Sequence, residues 1–123
     1  MVIAVNAIFF QDEKREGYGH YAWEIVSRLI LTHPEHAFVL LFDKPFNHSF
    51  IIAPNVSAML IKPAAKHVPG FLYWYNIAAA KAVKRIGAAV WLQPHGFCSL
   101  LSNIPQVLII HDLAYKHFPK DNT

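Results

Sequence analysis

The sequence predicts an α/β protein, a doubly wound parallel sheet of about five strands with helices on both faces. Two observations lead there. The strand-like segments are apolar throughout rather than alternating, as in "VIAVNAI" (Val2–Ile8) and "AAVWL" (Ala88–Leu92). Between them lie segments whose apolar residues recur at helical spacing. Composition agrees. The 123 residues are 54% hydrophobic and 15% charged, enough for one packed domain and far from the disordered class.

The elements follow in order. Val2–Ile8 reads as a buried strand, and Phe9–Glu16 as a loop closed by Gly17. From Tyr18 the period changes. Tyr18, Ala22, Ile25 and Leu29 share a helical face, Glu24 and Arg28 form an i, i+4 pair, and Pro34 marks the stop. Ala37–Phe42 is a second strand, Asp43–Pro54 a loop, Val56–Ile61 a third strand and Pro63–Gly70 an irregular stretch. Phe71–Ile86 is expected as one helix that buries Leu72, Tyr75, Ala79, Val83 and Ile86. Lys81, Lys84 and Arg85 fill its last turns, where cations suit the helix dipole, and Gly87 ends it. Ala88–Leu92 and Gln106–Ile110 are the fourth and fifth strands. Such a succession forms a Rossmann-like unit with expected sheet order 3-2-1-4-5, and no internal repeat interrupts it.

Charge and cysteine usage narrow the function classes. The net charge is +3 with a pI near 9.1, and no Lys/Arg run forms a nucleic-acid stripe. An anionic small ligand or an anionic lipid surface fits this charge as well as any partner, and nucleic acid is not expected. The single cysteine, Cys98, cannot form an internal disulfide, which favours a reduced, intracellular compartment. No basic n-region precedes the first strand, and no apolar run approaches the ~18 residues that span a bilayer. A cytoplasmic location is expected, with peripheral contact at the inner membrane face as an option. On that reading the sequons at Asn47 and Asn55 are chance matches.

In a parallel α/β sheet, ligands bind beyond the carboxyl ends of the strands. That places Asn6 to Gly19, Asp43, Lys62, Gln93 to Gly96, and His111 to Ala114 on one edge. Four stretches stand out. "EGYGHY" puts Gly17 and Gly19 around Tyr18 where a helix opens, so backbone N–H groups can approach a phosphate, or the glycines merely shape the junction. "QPHGF" sets His95 and Gly96 in a turn after the fourth strand. His111 and Asp112 end the fifth strand. They either cap it or present an imidazole and a carboxylate that can bind a hydroxyl or move a proton. His95 and His111 as metal ligands is the weaker alternative, and no metal is assigned. "KPAAKHVPGFLYWY" joins basic residues to aromatics. It reads as core packing for most of its rings, or as a surface for lipid or acceptor. Glu16 and Glu24 stand eight apart by coincidence.

Taken together these stretches resemble the N-terminal domain of the family 4 (group 1) glycosyltransferases, which have the two-domain GT-B fold. The first strand, "GYGHYAWEIVSRLI", "AAVWLQPHGF" and "IPQVLIIHDLAYKHFP" carry the resemblance, which spans nearly the whole chain. The residues between Asp43 and Gly70 do not contribute to it. It implies retaining transfer of a sugar from a nucleotide-sugar donor to the hydroxyl of a glycan or lipid-linked acceptor, with no cofactor and no required metal. His111 would contact the transferred sugar near the reacting centre. Gly17, Tyr18 and Gly19 would face the donor diphosphate or an acceptor phosphate. His95, Gly96 and Asp112 would line the cleft. Residues 1–123 would then be an incomplete acceptor-side domain, inactive without the C-terminal nucleotide-binding half. Two alternatives remain at this stage: half of a nucleotide-sugar 2-epimerase, and a non-catalytic module that binds a partner or a membrane.

Overall fold

The computed structural model describes residues 1–8, 10, 18–62, 64–65, 68–94 and 99–108, with the backbone alone for 18–21 and 68. Strands β1 (Val2–Asn6), β2 (Ala37–Phe42), β3 (Val56–Leu60), β4 (Val90–Gln93) and β5 (Gln106–Leu108) form one sheet, every pair parallel, in the order β3-β2-β1-β4-β5. The expected order and parallel pairing are therefore observed. Among the described residues no helix is long and apolar enough to cross a membrane.

The apolar strands are explained by burial on both sides. Successive residues point to opposite faces. Ala4, Leu41 and Trp91 enter one core, while Val5, Leu40 and Leu92 enter the other. Helix α1 (Tyr18–Thr32) covers the second core. A continuous helical run of α2 (Val68–Tyr73), a π turn (Trp74–Ala78) and α3 (Ala79–Arg85) covers the first.

Helix α1 begins where expected, and Glu24 and Arg28 meet at 3.3 Å on its exposed side. Its fully buried row is Ala22, Val26 and Ile30, while of the expected Ile25 and Leu29, both half-buried, Leu29 packs against the same core. An aromatic cluster lies at the edge of this core. Trp23 packs edge-on against Phe50 at 5.0 Å and tilted against Phe10 at 5.3 Å. The C-terminal end of α1 is held from outside. Asn55 Nδ2 lies 3.1–3.2 Å from the carbonyls of Ile30, in the last turn of α1, and of His33 and His36 in the chain that follows, and its N–H groups serve them as donors. That amide nitrogen, the atom a glycan would need, is thereby committed to the fold.

Strand β1 stops two residues early because Asn6 Oδ1 accepts the Ile8 N–H at 3.2 Å and turns the chain. The second helical run starts at Val68, three residues before the expected Phe71, with Pro69 tolerated in its first turn. Its π turn closes with the Ala79 N–H donating to the Trp74 carbonyl. The extra residue shifts the buried face, so Trp74, Tyr75, Ala79, Ala82 and Val83 are buried while Leu72 is 52% exposed. Strand β4 begins at Val90 rather than Ala88, because the Ala88 N–H is used to end α3.

Gly87 ends that helix as expected. Its φ is +72°, the Gly87 N–H donates to Lys84 O at 3.1 Å and the Ala88 N–H to Val83 O at 3.2 Å. These two bonds form a Schellman cap, with buried Val83 and Ala88 as its apolar contact. A Cβ at Gly87 would meet nothing within 4 Å, so only backbone conformation resists substitution. Gly87→Ala is expected to cost about 1–2 kcal/mol in urea denaturation. A neutral result would mean that the cap relaxes.

Candidate functional site at the carboxyl edge

Parallel strands bring Asn6, Phe42, Leu60, Gln93 and Leu108 to the same edge. Of the residues expected to act there, Gly17, His95, Gly96, His111 and Asp112 lie outside the described residues, as do Cys98 and the last two residues of the expected fifth strand. Tyr18 and Gly19 form the first two residues of α1. The strands that lead into these stretches are described, and the sheet order makes β1, β4 and β5 neighbours.

Those three strands are also joined by side chains. Asn6 is fully buried, and its Nδ2 donates to the Tyr75 hydroxyl and to Gln93 Oε1, the latter at 3.0 Å. Gln93, 1% exposed, donates through Nε2 to Gln106 Oε1 at 3.0 Å. Gln106 Oε1 also accepts the Ser99 N–H at 2.7 Å, and Gln106 Nε2 donates to the Ser99 carbonyl at 2.9 Å. The result is an amide ladder running from β1 through β4 to β5.

Backbone groups at its two ends fix the direction of every amide. The Ile8 N–H can only donate, so the Asn6 atom facing it is oxygen. The Ser99 N–H and C=O fix Gln106 in the same way. Gln93 must then accept from Asn6 and donate to Gln106. Both N–H groups of Asn6 are used, so the ladder leaves little capacity to bind or react with a ligand. Its role is to hold the carboxyl ends of β1 and β4 together and to tie both to the first residue of β5 and the chain that enters it.

A second anchor continues from it. Ser99 Oγ lies 3.3 Å from Asn76 Oδ1, which also accepts the Leu100 N–H. Asn76 Nδ2 donates to the Leu72 carbonyl at 3.0 Å. The segment between β4 and β5 is therefore bound to the π turn.

Asp43, at the end of β2, is 7% exposed, and its Oδ2 accepts the Ala65 N–H at 2.8 Å. It anchors the chain between β3 and α2. Lys62 is exposed. Of the aromatics in "FLYWY", Trp74 and Tyr75 are core and Phe71 packs against the core, as the core reading expects, while Tyr73 is 47% exposed. Among the described residues no three His, Cys, Asp or Glu side chains gather in a metal-holding group. Among the described residues, two open grooves of about 220 Å³ each are lined by neither Asn6, Asp43, Lys62 nor Gln93.

Sequence reading placed Asn6 and Gln93 on this edge but missed the ladder and its partners Gln106, Ser99 and Asn76. One signal was present: glutamines in otherwise apolar strands, in "VWLQ" and "QVL", must find buried partners.

Fold and edge define a doubly wound, Rossmann-like α/β unit with its polar residues gathered at strand ends. No family model, no curated protein and no solved structure matches the chain.

Proposed function

We propose that this chain is the acceptor-side half of a retaining glycosyltransferase that moves a sugar from a nucleotide-sugar donor to a glycan or lipid-linked acceptor on the cytoplasmic side of a membrane. The observation that carries the reading is the sheet order. It makes β1, β4 and β5 neighbours, and in the sequence these are the strands that lead into "EGYGHY", "QPHGF" and "HDLAYKHFP". The amide ladder adds support, since it ties the carboxyl ends of β1 and β4 to each other and to the start of β5, and a site shared by these strands needs them fixed.

In this reading the acceptor oxygen attacks the anomeric carbon on the face the donor phosphate leaves. The carbon–oxygen bond to the diphosphate breaks as the new glycosidic bond forms. The acceptor proton passes to the departing phosphate oxygen, so products are the glycoside and a nucleoside diphosphate. His111 contacts and polarises the transferred sugar and takes no proton. Gly17, Tyr18 and Gly19 face phosphate, and His95, Gly96 and Asp112 line the cleft. No metal or cofactor enters the step. The nucleotide is held by a second half.

The full reading frame that contains these residues provides the test. It is expected to encode a second Rossmann-like half with an E-x7-E pair. The two halves together should transfer sugar, and the 123-residue chain alone should not. His111→Ala in the two-half enzyme should lower turnover by about 100-fold or more, the scale of losing one positioned polar contact at the reacting centre. Turnover within a few-fold of the parent, with circular dichroism unchanged, would remove His111 from the site. A frame with no nucleotide-binding half would overturn the reading itself.

A further inference from the structure

The surface outside the π turn has an unusual composition. No Asp or Glu occurs between Lys44 and His111, a stretch holding six of the chain's eleven Lys and Arg (Lys44, Lys62, Lys66, Lys81, Lys84 and Arg85) and none of its eight acids. Three of the six, Lys81, Lys84 and Arg85, lie exposed on α3. None of the three has an ion-pair partner among the described residues.

Helix α2 and the chain that enters β5 also expose four large apolar or amphipathic side chains. Leu100 is 80% exposed, Leu101 64%, Leu72 52% and Tyr73 47%. They belong to separate segments that Asn76 clamps together, its Oδ1 accepting the Leu100 N–H and its Nδ2 donating to the Leu72 carbonyl. The leucine tip is therefore a held feature of the fold. Leu101, Lys81 and Lys84 line the same groove of about 220 Å³.

We propose that this face, formed by α3, the π turn and the Leu100–Leu101 tip, docks on a bilayer rich in anionic lipids. The leucines and Tyr73 enter the headgroup boundary, and Lys81, Lys84 and Arg85 meet lipid phosphates, one of them in the groove. Nucleic acid would use the cations but give the exposed leucines nothing to bury against. An acidic protein partner is less favoured, because leucines at the tip of a basic face suit insertion into a fluid boundary. This inference goes beyond the transferase reading and stands without it, since binding is a property of the chain alone.

Sedimentation of the 123-residue chain with vesicles tests it, using phosphatidylcholine alone and phosphatidylcholine with 30% phosphatidylglycerol. Binding is expected to the second and at least ten-fold weaker to the first. It should weaken steeply between 0.05 and 0.5 M NaCl as the Debye length shrinks. The triple variant Lys81→Gln, Lys84→Gln, Arg85→Gln is expected to lose about 100-fold in partitioning, from about five-fold per cation. The pair Leu100→Ser, Leu101→Ser should lose ten-fold or more. Arg28→Gln, on α1 across the sheet, should change nothing. These are exposed positions, and circular dichroism confirms that each variant keeps the fold. Equal binding to both vesicle types, no binding to either, or variants that bind like the parent would each overturn the proposal. So would a stable dimer whose formation depends on Leu100 and Leu101, or preferential binding of the same face to duplex DNA. Neither a positive nor a negative result bears on sugar transfer, so the two readings fail separately.

Discussion

Asn6→Ala is expected to lower stability by about 3 kcal/mol, a large share of the ~5–15 kcal/mol that holds a domain together. The side chain is fully buried and serves three partners 2, 69 and 87 residues away along the chain. Removing it leaves the Ile8 N–H and Gln93 Oε1 in the interior without their partner, each at about 1–3 kcal/mol. The Tyr75 hydroxyl loses a donor as well. Asn6→Asp should not rescue the loss. It keeps the acceptor for Ile8 but turns a carboxylate oxygen toward the carbonyl oxygen of Gln93, and it buries a charge. Urea denaturation of both variants is the measurement. A cost below about 1 kcal/mol for alanine would mean that water replaces the ladder, and the edge would then be less rigid than its hydrogen bonds suggest.

Trp74→Ala is expected to cost about 3–5 kcal/mol, the range for removing a fully buried large side chain. Trp74 is 0% exposed and sits in the core beneath the π turn. Its Nε1–H donates to the Ile61 carbonyl at 2.9 Å, and the Ile61 N–H donates to Phe42 O at 2.8 Å. One indole thus ties the helical run to the ends of β2 and β3. Should the alanine variant not fold, Trp74→Phe gives a graded answer. It retains most of the volume and loses the hydrogen bond, at an expected cost of about 2 kcal/mol. A phenylalanine variant within 0.5 kcal/mol of the parent would show that packing alone holds this contact. Trp91 offers the contrast. Its buried Nε1–H has no partner among the described residues, so its place in the core rests on packing.

Much of the fold was legible along the chain, for reasons tied to particular residues. Uninterrupted apolar runs such as "FVLLF" in β2 occur where a strand is buried on both faces, and that requires helices on both sides. Gly87 was readable as a stop because a left-handed residue after a helix favours glycine. The polar ends Asn6, Asp43 and Gln93 could be assigned to one edge because parallel strands all finish there. The site was less legible. The ladder joins Asn6 to Gln93 across 87 residues, and no local pattern encodes such a pairing. The proposed contacts of His111, Asp112, His95, Gly96 and Gly17 rest on sequence alone, since these residues lie outside those described.

Local chemistry therefore decided where strands and helices begin and end, to within a few residues, and that the sheet is parallel. Tertiary structure decided which faces they present. In α1, Ile25 and Leu29 are as apolar as Val26 and Ile30, so the pattern permits either row. In the folded chain Val26 and Ile30 are innermost, and Leu29 and Trp23 pack at the margin of the same core. In the later helical run, one extra residue in the π turn moved Leu72 into solvent and Trp74 into the core. Both choices depend on contacts between segments distant along the chain, and only the folded chain brings those segments together.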